Sequence, residues 1–338
     1  MRVIESLLKD VPLPRMVKVR QSFPAPEVAD VPGAVREAVA AEGVLERISE
    51  GDRVAIAVGS RGVADIDVMA REVVRLVRSR GGQPFIVPAM GSHGGATAEG
   101  QIEVLKQLGV TESSVEAPIR SSMDVGRLAS GLPVYTDRQA YSADKVIVIN
   151  RVKPHTAFRG PVESGLMKMI TIGLGKQKGA EAAHSRGFQY MAEHVVAMAR
   201  IVLSQVPIIF GLATVENAYD RPAKIVAVPA EKIEAVEPGL LLEAKSLMPR
   251  ILFDPIDVLV VDEIGKDISG DGMDPNITGR YPTPYASGGP RVTRIAVLGL
   301  TERTRGNANG IGLADITTRK AFEAIEWEKG YANALTST

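Results

Sequence analysis

The stretch KVIVINRVKPHTAFRGPVESGLMKMITIGLGKQKGAEAAHSRG, Lys145 to Gly187, decides how this chain is read. Its first six residues, Lys145 to Asn150, form a short continuous apolar run, the pattern of a strand buried on both faces. Such strands belong to parallel sheets covered by helices, and open α/β sheets bind ligands beyond the carboxyl ends of their strands. His155, just after Pro154, therefore stands where a site is expected. Ser164, Gly165 and Lys168 then make an SGLMK turn whose small residues allow close backbone approach. His184 follows the lysine by 184 − 168 = 16 residues. A lone lysine in a glycine-rich loop is usually solvated, and a histidine beside Ala-Ala is usually a partly buried surface residue; the two histidines around one lysine carry the reading jointly. Lys176 and Lys178 are rival reactive lysines, but neither follows a Ser-Gly turn.

The flanking sequence repeats the strand, turn, helix theme. Asp52 to Val58 (DRVAIAV) reads as a buried strand, Gly59-Ser60-Arg61-Gly62 as a turn, and Asp65 to Arg80 as a helix with Met69, Val73, Leu76 and Val77 on one face. Arg61 thus sits at a strand's carboxyl end, where a guanidinium can grip a carboxylate or phosphate in a bidentate pair. Gln83 to Pro88 is a second strand, and AMGSHGGA (Ala89 to Ala96) presents His93 on a loop opening into a helix at Thr97 to Leu108. Met16 to Phe23 alternates like an early strand, and Ser130 to Asp137 reads as a strand or hairpin arm. Met191 to Ser204 is a helix carrying His194, which has no partner at site-like spacing and reads as structural or solvent-facing.

Met248 to Pro255 is a candidate crossing between domains. Ile256 to Asp262 (IDVLVVD) starts a new apolar strand, and EIGKDISGDGMDPNITGR (Glu263 to Arg280) is a long loop of the kind retained for function. Arg294 to Leu300 is a further strand, with a helix expected over Ile316 to Trp327. The fold expected is α/β, as two α/β domains, residues 1–248 and 249–338, with the active-site cleft between them.

Composition narrows the functions. The 338 residues carry 40 basic and 40 acidic side chains, so net charge is zero and nucleic acid is a poor partner. Cysteine is absent, which excludes disulfides, thiolate metal sites and cysteine nucleophiles. Any metal must bind through imidazole or oxygen, and only His93, His155, His184 and His194 supply imidazole. The N-terminus is too charged for a secretory signal and no stretch of about 18 apolar residues occurs, so a cytoplasmic protein without membrane contact is expected.

At His155, Ser164-Gly165-x-x-Lys168 and His184 the chain resembles the nickel-dependent lactate racemase family. The resemblance implies that Lys168 carries, covalently, a nickel-pincer cofactor, pyridinium-3,5-bisthiocarboxylic acid mononucleotide, that Ser164 and Gly165 help to hold it, and that His184 ligates the nickel. It further implies an acid/base pair, His93 and His155, and a substrate carboxylate held by Arg61. The family's acidic residue three before that arginine is Val58 here. Asp274-Pro275-Asn276 is similar to the family's Asp-x-Asn element, which brings the second domain over the cofactor, and Arg280 is the nearest cation to the family's substrate lysine. The activity so implied is racemisation or epimerisation of a 2-hydroxy acid by hydride transfer, in a protein served by cofactor-biosynthesis proteins. Two other readings use the same residues: a hydrolase or lyase with His93, His155 and His184 as direct metal ligands, or a non-enzymatic nucleotide or metal carrier.

Overall fold

The computed structural model describes residues 2–12, 14–59 and 62–331. Ten strands are assigned among them: β1 (Arg53–Val58), β2 (Gln83–Pro88), β3 (Val125–Arg127), β4 (Tyr135–Asp137), β5 (Lys145–Arg151), β6 (Ile208–Glu216), β7 (Pro222–Pro229), β8 (Ile256–Ile264), β9 (Val292–Leu300) and β10 (Ile316–Thr317). Five form the main sheet, in the order β2-β1-β5-β6-β7. The first four are parallel and β7 closes the edge antiparallel to β6. Buried on both faces, β1, β5 and β6 are apolar almost throughout, which is why they read as uninterrupted runs rather than as alternation.

Helices cover both sides. Ile66–Ser79 and Val31–Ala41 lay Met69, Val73, Val77, Val35 and Val39 on one face of the sheet, against Val54, Ile56 and Ile147. Met191–Gln205, Ile233–Leu247 and the Leu166–His184 segment cover the other with Met198, Leu241, Met167 and Ile170. The β3-β4 hairpin is a separate two-stranded sheet. A third, three-stranded parallel sheet, β10-β9-β8, has its own small core of Ile264, Met273, Ile295 and Val297.

Two expectations fail. Residues 16–23 form no strand: Met16 and Val17 are exposed, and the segment is held instead by Gln21, which bonds Arg250 O at 3.1 Å and the Leu252 amide at 2.7 Å. Alternation makes a strand only where a neighbouring edge is free to pair. The helix expected over Ile316 to Trp327 is replaced at its start by β10, because β-branched Ile316 and Thr317 pair with Ala296 and Val297. Thr318 then caps a short helix, Arg319–Glu323. Among the described residues no helix is long and apolar enough to cross a membrane.

Candidate active site

The parallel strands deliver their loops to one edge. Both β2 and β5 pair with β1, so the loops bearing His93 and His155 leave from strands two spacings apart, roughly 10 Å. Arg61, expected on the loop after β1, lies outside the described residues.

Past β5 the chain is pinched into a loop. Lys153 and Ser164 exchange backbone hydrogen bonds of 2.7 and 3.1 Å, and residues 154–163 bulge between them. The His155 amide donates to Glu163 Oε2 at 2.7 Å; Glu163 is wholly buried and also accepts from Lys245 Nζ at 2.7 Å. The Ala157 amide donates to His155 Nδ1 at 3.0 Å, so a neutral ring carries its proton on Nε2. The imidazole packs 4.4 Å from the Phe158 ring and 6.3 Å from that of Phe188.

Gly165 begins the helical turn Leu166–Lys168, and Met167 N–H donates to Glu237 Oε2 at 2.8 Å. A Cβ at Gly165 would lie 2.2 Å from Glu237 Oε1, so the group whose approach this glycine permits is the Glu237 carboxylate. Burial pushes that carboxyl up to about 7, against the lowering effect of the Met167 and Leu166 amides. A π-helical turn, Met169–Gly173, follows, closed by Leu174 N–H to Met169 O at 2.9 Å. Single π turns inside helices recur at functional sites. The helix Lys176–His184 then ends on the second histidine, whose ring meets Phe188 edge-on at 5.2 Å.

His184 is drawn down to about 4, first by burial and second by the nearby Lys168 ammonium. Its imidazole is therefore neutral at pH 7, the state a metal requires. Lys168 itself is half-buried, whereas Lys176 is fully buried and Lys178 exposed. Lys168, His184, Phe188 and His155 thus form one contiguous group. The His93 loop rests on the same segment, with Gly91 N–H donating to Gly173 O at 3.3 Å. His194 stacks on Tyr190 at 6.2 Å, a packing role. Among the described residues no three His, Asp or Glu side chains gather as a metal site, so His93, His155 and His184 are not a direct ligand triad.

Residues 5–195 match the family model for the lactate racemase N-terminal domain, 195 − 5 + 1 = 191 of 338 residues. The chain belongs to that family. The matched span contains His93, His155, Ser164, Gly165, Lys168 and His184. No curated protein sequence matches the chain. Among solved structures it is similar to the lactate racemase apoprotein of Thermoanaerobacterium thermosaccharolyticum, at 15% identity and a TM-score of 0.48, over 79% of this chain and 66% of that one. The chain thus spans just under two thirds of that relative's length.

Around this family segment the structure adds residues that sequence reading did not single out. Arg159, four past His155, donates to His155 O at 2.6 Å, Asn276 Oδ1 at 2.5 Å, Tyr281 Oη at 3.0 Å and Ser287 O at 3.0 Å. Lys153 stands 3.8 Å from Asp274. The Asp274-Pro275-Asn276 element does meet the His155 loop, through Arg159 and Lys153 and through Asn276 Nδ2, which donates to His155 O at 3.4 Å. Arg280 turns away, to Asp315 at 3.2 Å and to the carbonyls of Leu313 and Val292, both at 3.3 Å. No local motif marks Arg159 or Phe188; their partners come from distant segments.

Proposed function

We propose that this chain is an isomerase, a racemase or epimerase of a 2-hydroxy acid, working through a nickel-pincer nucleotide attached to Lys168. The observation that carries the reading is the amine of Lys168 beside a buried, neutral His184, sixteen residues on across a π-helical turn, in a member of the lactate racemase N-terminal domain family. The donor set suits that group: one amine for the covalent link, one uncharged imidazole for nickel, and, among the described residues, no three-residue cluster to bind a metal without further ligand atoms. When bound, such a cofactor supplies a hydride acceptor for the substrate Cα.

The side chains supply the rest. His155 handles the hydroxyl proton; its Nδ1 accepts from Ala157 N–H and its Nε2 carries the ring proton, so it donates from Nε2 as it stands and accepts there only once the Ala157 bond is released and the ring proton moves to Nδ1. His93 serves the opposite face, since one imidazole cannot reach both sides of a planar keto acid. Arg61 holds the substrate carboxylate, and Ser164 and Gly165 support the Lys168 turn. Glu237 fixes that turn by accepting from the Met167 amide. Phe158 and Phe188 wall the His155 ring and help exclude water. The chain divides at residues 248/249 into two α/β domains with the cleft between them, and Arg159 bonded to Asn276 supports contact across it.

Single enantiomers of lactate, malate, 2-hydroxyglutarate, phenyllactate and sugar acids, incubated with protein co-expressed with cofactor-making proteins, test the activity. Loss of optical purity with at least one is expected; stable optical purity with all of them, on protein shown to carry nickel and adduct, overturns it.

A further inference from the structure

Lys176 opens the helix that ends on His184, yet it has no exposed surface. Its Nζ donates to Pro88 O and to Gln101 Oε1, the latter at 2.9 Å, and lies 3.2 Å from Asp137 Oδ2. Gln101 and Asp137 are equally buried. Gln101 extends the contact, its Nε2 donating to Gly91 O at 2.9 Å and to His93 O at 3.4 Å. Asp137 is also engaged, accepting from Ala140 N–H at 2.9 Å while its own amide donates to Leu174 O at 2.6 Å. Pro88 ends β2, Gly91 and His93 follow it, and Leu174 lies between Lys168 and His184. One ammonium therefore ties both parts of the candidate site together.

The arrangement is a poor device for stability alone. Removing two opposite charges from water is costly, and a buried pair often does no better than apolar residues of the same shape. Lys176 also sits at φ +54°, a left-handed conformation that lysine rarely adopts. What the network supplies is a fixed set of donors and acceptors in one geometry.

We infer that Lys176 is a positioning residue: through Gln101 it fixes the His93 loop against the segment that carries Lys168 and His184. The consequence for catalysis rests on the function proposed above; the positioning itself does not. Fixing the loop restricts where the His93 ring can sit relative to the Lys168 turn, and small misplacements of reacting groups cost rate rather than binding.

Two variants separate positioning from folding. Lys176→Met combined with Asp137→Asn removes both charges, so neither is left buried alone, and the introduced amide keeps an acceptor for the Ala140 N–H. Gln101→Met removes the amide that joins Lys176 to the loop and leaves Lys176 paired with Asp137 and bonded to Pro88 O. Hydrogen exchange of the full chain without cofactor is read first. Both variants are expected to raise exchange at the Gly91 and His93 amides about tenfold or more, with residues 166–174 near wild type. On loaded protein, the Lys168 adduct and nickel should stay at wild-type levels while kcat falls tenfold or more at little-changed KM. Unchanged exchange at Gly91 and His93 in folded Gln101→Met overturns the inference, as does equal loosening of both segments or a full kcat with a mobile loop. Because exchange is read without cofactor, a wild type that fails to racemise any substrate sinks the proposed function and leaves the positioning claim to its own readout.

Discussion

Glu237 and His184 carry opposite pH signatures. The folded carboxyl of Glu237 titrates at about 7, above the ordinary 4.5, so the protonated form is favoured by folding. Its contribution to stability is complete below about pH 4.5 and is lost as pH rises through 7. Glu237→Gln should gain on wild type by about 3 kcal/mol between pH 4 and pH 8, checked by denaturant unfolding across that range; parallel curves would contradict the burial argument. His184, held at about 4 against an ordinary 6.5, contributes stability above 6.5 that is lost as pH falls toward 4. Its neutral ring leads to a second expectation. His184→Ala should lose nickel by elemental analysis while keeping a modified Lys168, whereas Lys168→Ala should lose the adduct, and the two defects should be separable. Substituting His93 or His155 by Ala should each cost about 10²- to 10⁴-fold in racemisation, the usual penalty for losing a general acid or base.

At the scale of elements, the His93 loop is held by backbone as well as by Gln101. A Cβ on Gly100 would fall 1.8 Å from Gly94 O, a backbone atom that cannot swing aside. Gly100→Ala should therefore displace the loop, costing on the order of 1–3 kcal/mol in thermal or denaturant unfolding and tenfold or more in kcat. The strands around this loop were legible because β1, β2 and β5 are buried on both faces and must be apolar throughout, and glycine-rich turns mark their ends. The π-helical turn at Met169–Gly173 was not: every one of its residues is buried, so no periodic face distinguishes five residues per bond from four. Residues 16–23 misled for the opposite reason, since a clear alternation is held by side-chain bonds from Gln21 rather than by pairing with a strand. The Lys-x₁₅-His spacing was visible, but the neutrality of His184 depends on burial and on Lys168, which only the packed helix reveals.

For the whole molecule, the Arg159 side chain is one of several ties between segments 117 residues apart in sequence, the His155 loop and Asn276, beside Asn276 Nδ2 to His155 O and Lys153 to Asp274. The sequence places the Asp274-Pro275-Asn276 loop at the site and offers Arg280 only as the cation nearest to the family's substrate lysine; nothing local shows that Arg280 is engaged by Asp315. Arg159→Ala should leave the fold intact, since Glu163 keeps Lys245 at 2.7 Å. It should loosen residues 274–287 without releasing them, since Arg159 N–H to Tyr285 O and Thr283 Oγ1 to Ala157 O remain, seen as faster amide exchange there, and raise KM for the 2-hydroxy acid several-fold or more. A KM and exchange pattern equal to wild type would remove Arg159 from the account.

The central claim, that Lys168 and His184 hold one nickel-bearing group, is tested most directly by peptide mapping with nickel analysis of chain co-expressed with cofactor-making proteins. The expected result is added mass on the peptide containing Lys168 together with nickel in wild type, neither in Lys168→Ala, and the mass without nickel in His184→Ala. An adduct on Lys178, or an unmodified Lys168 in a chain that nonetheless racemises its substrate, would contradict it.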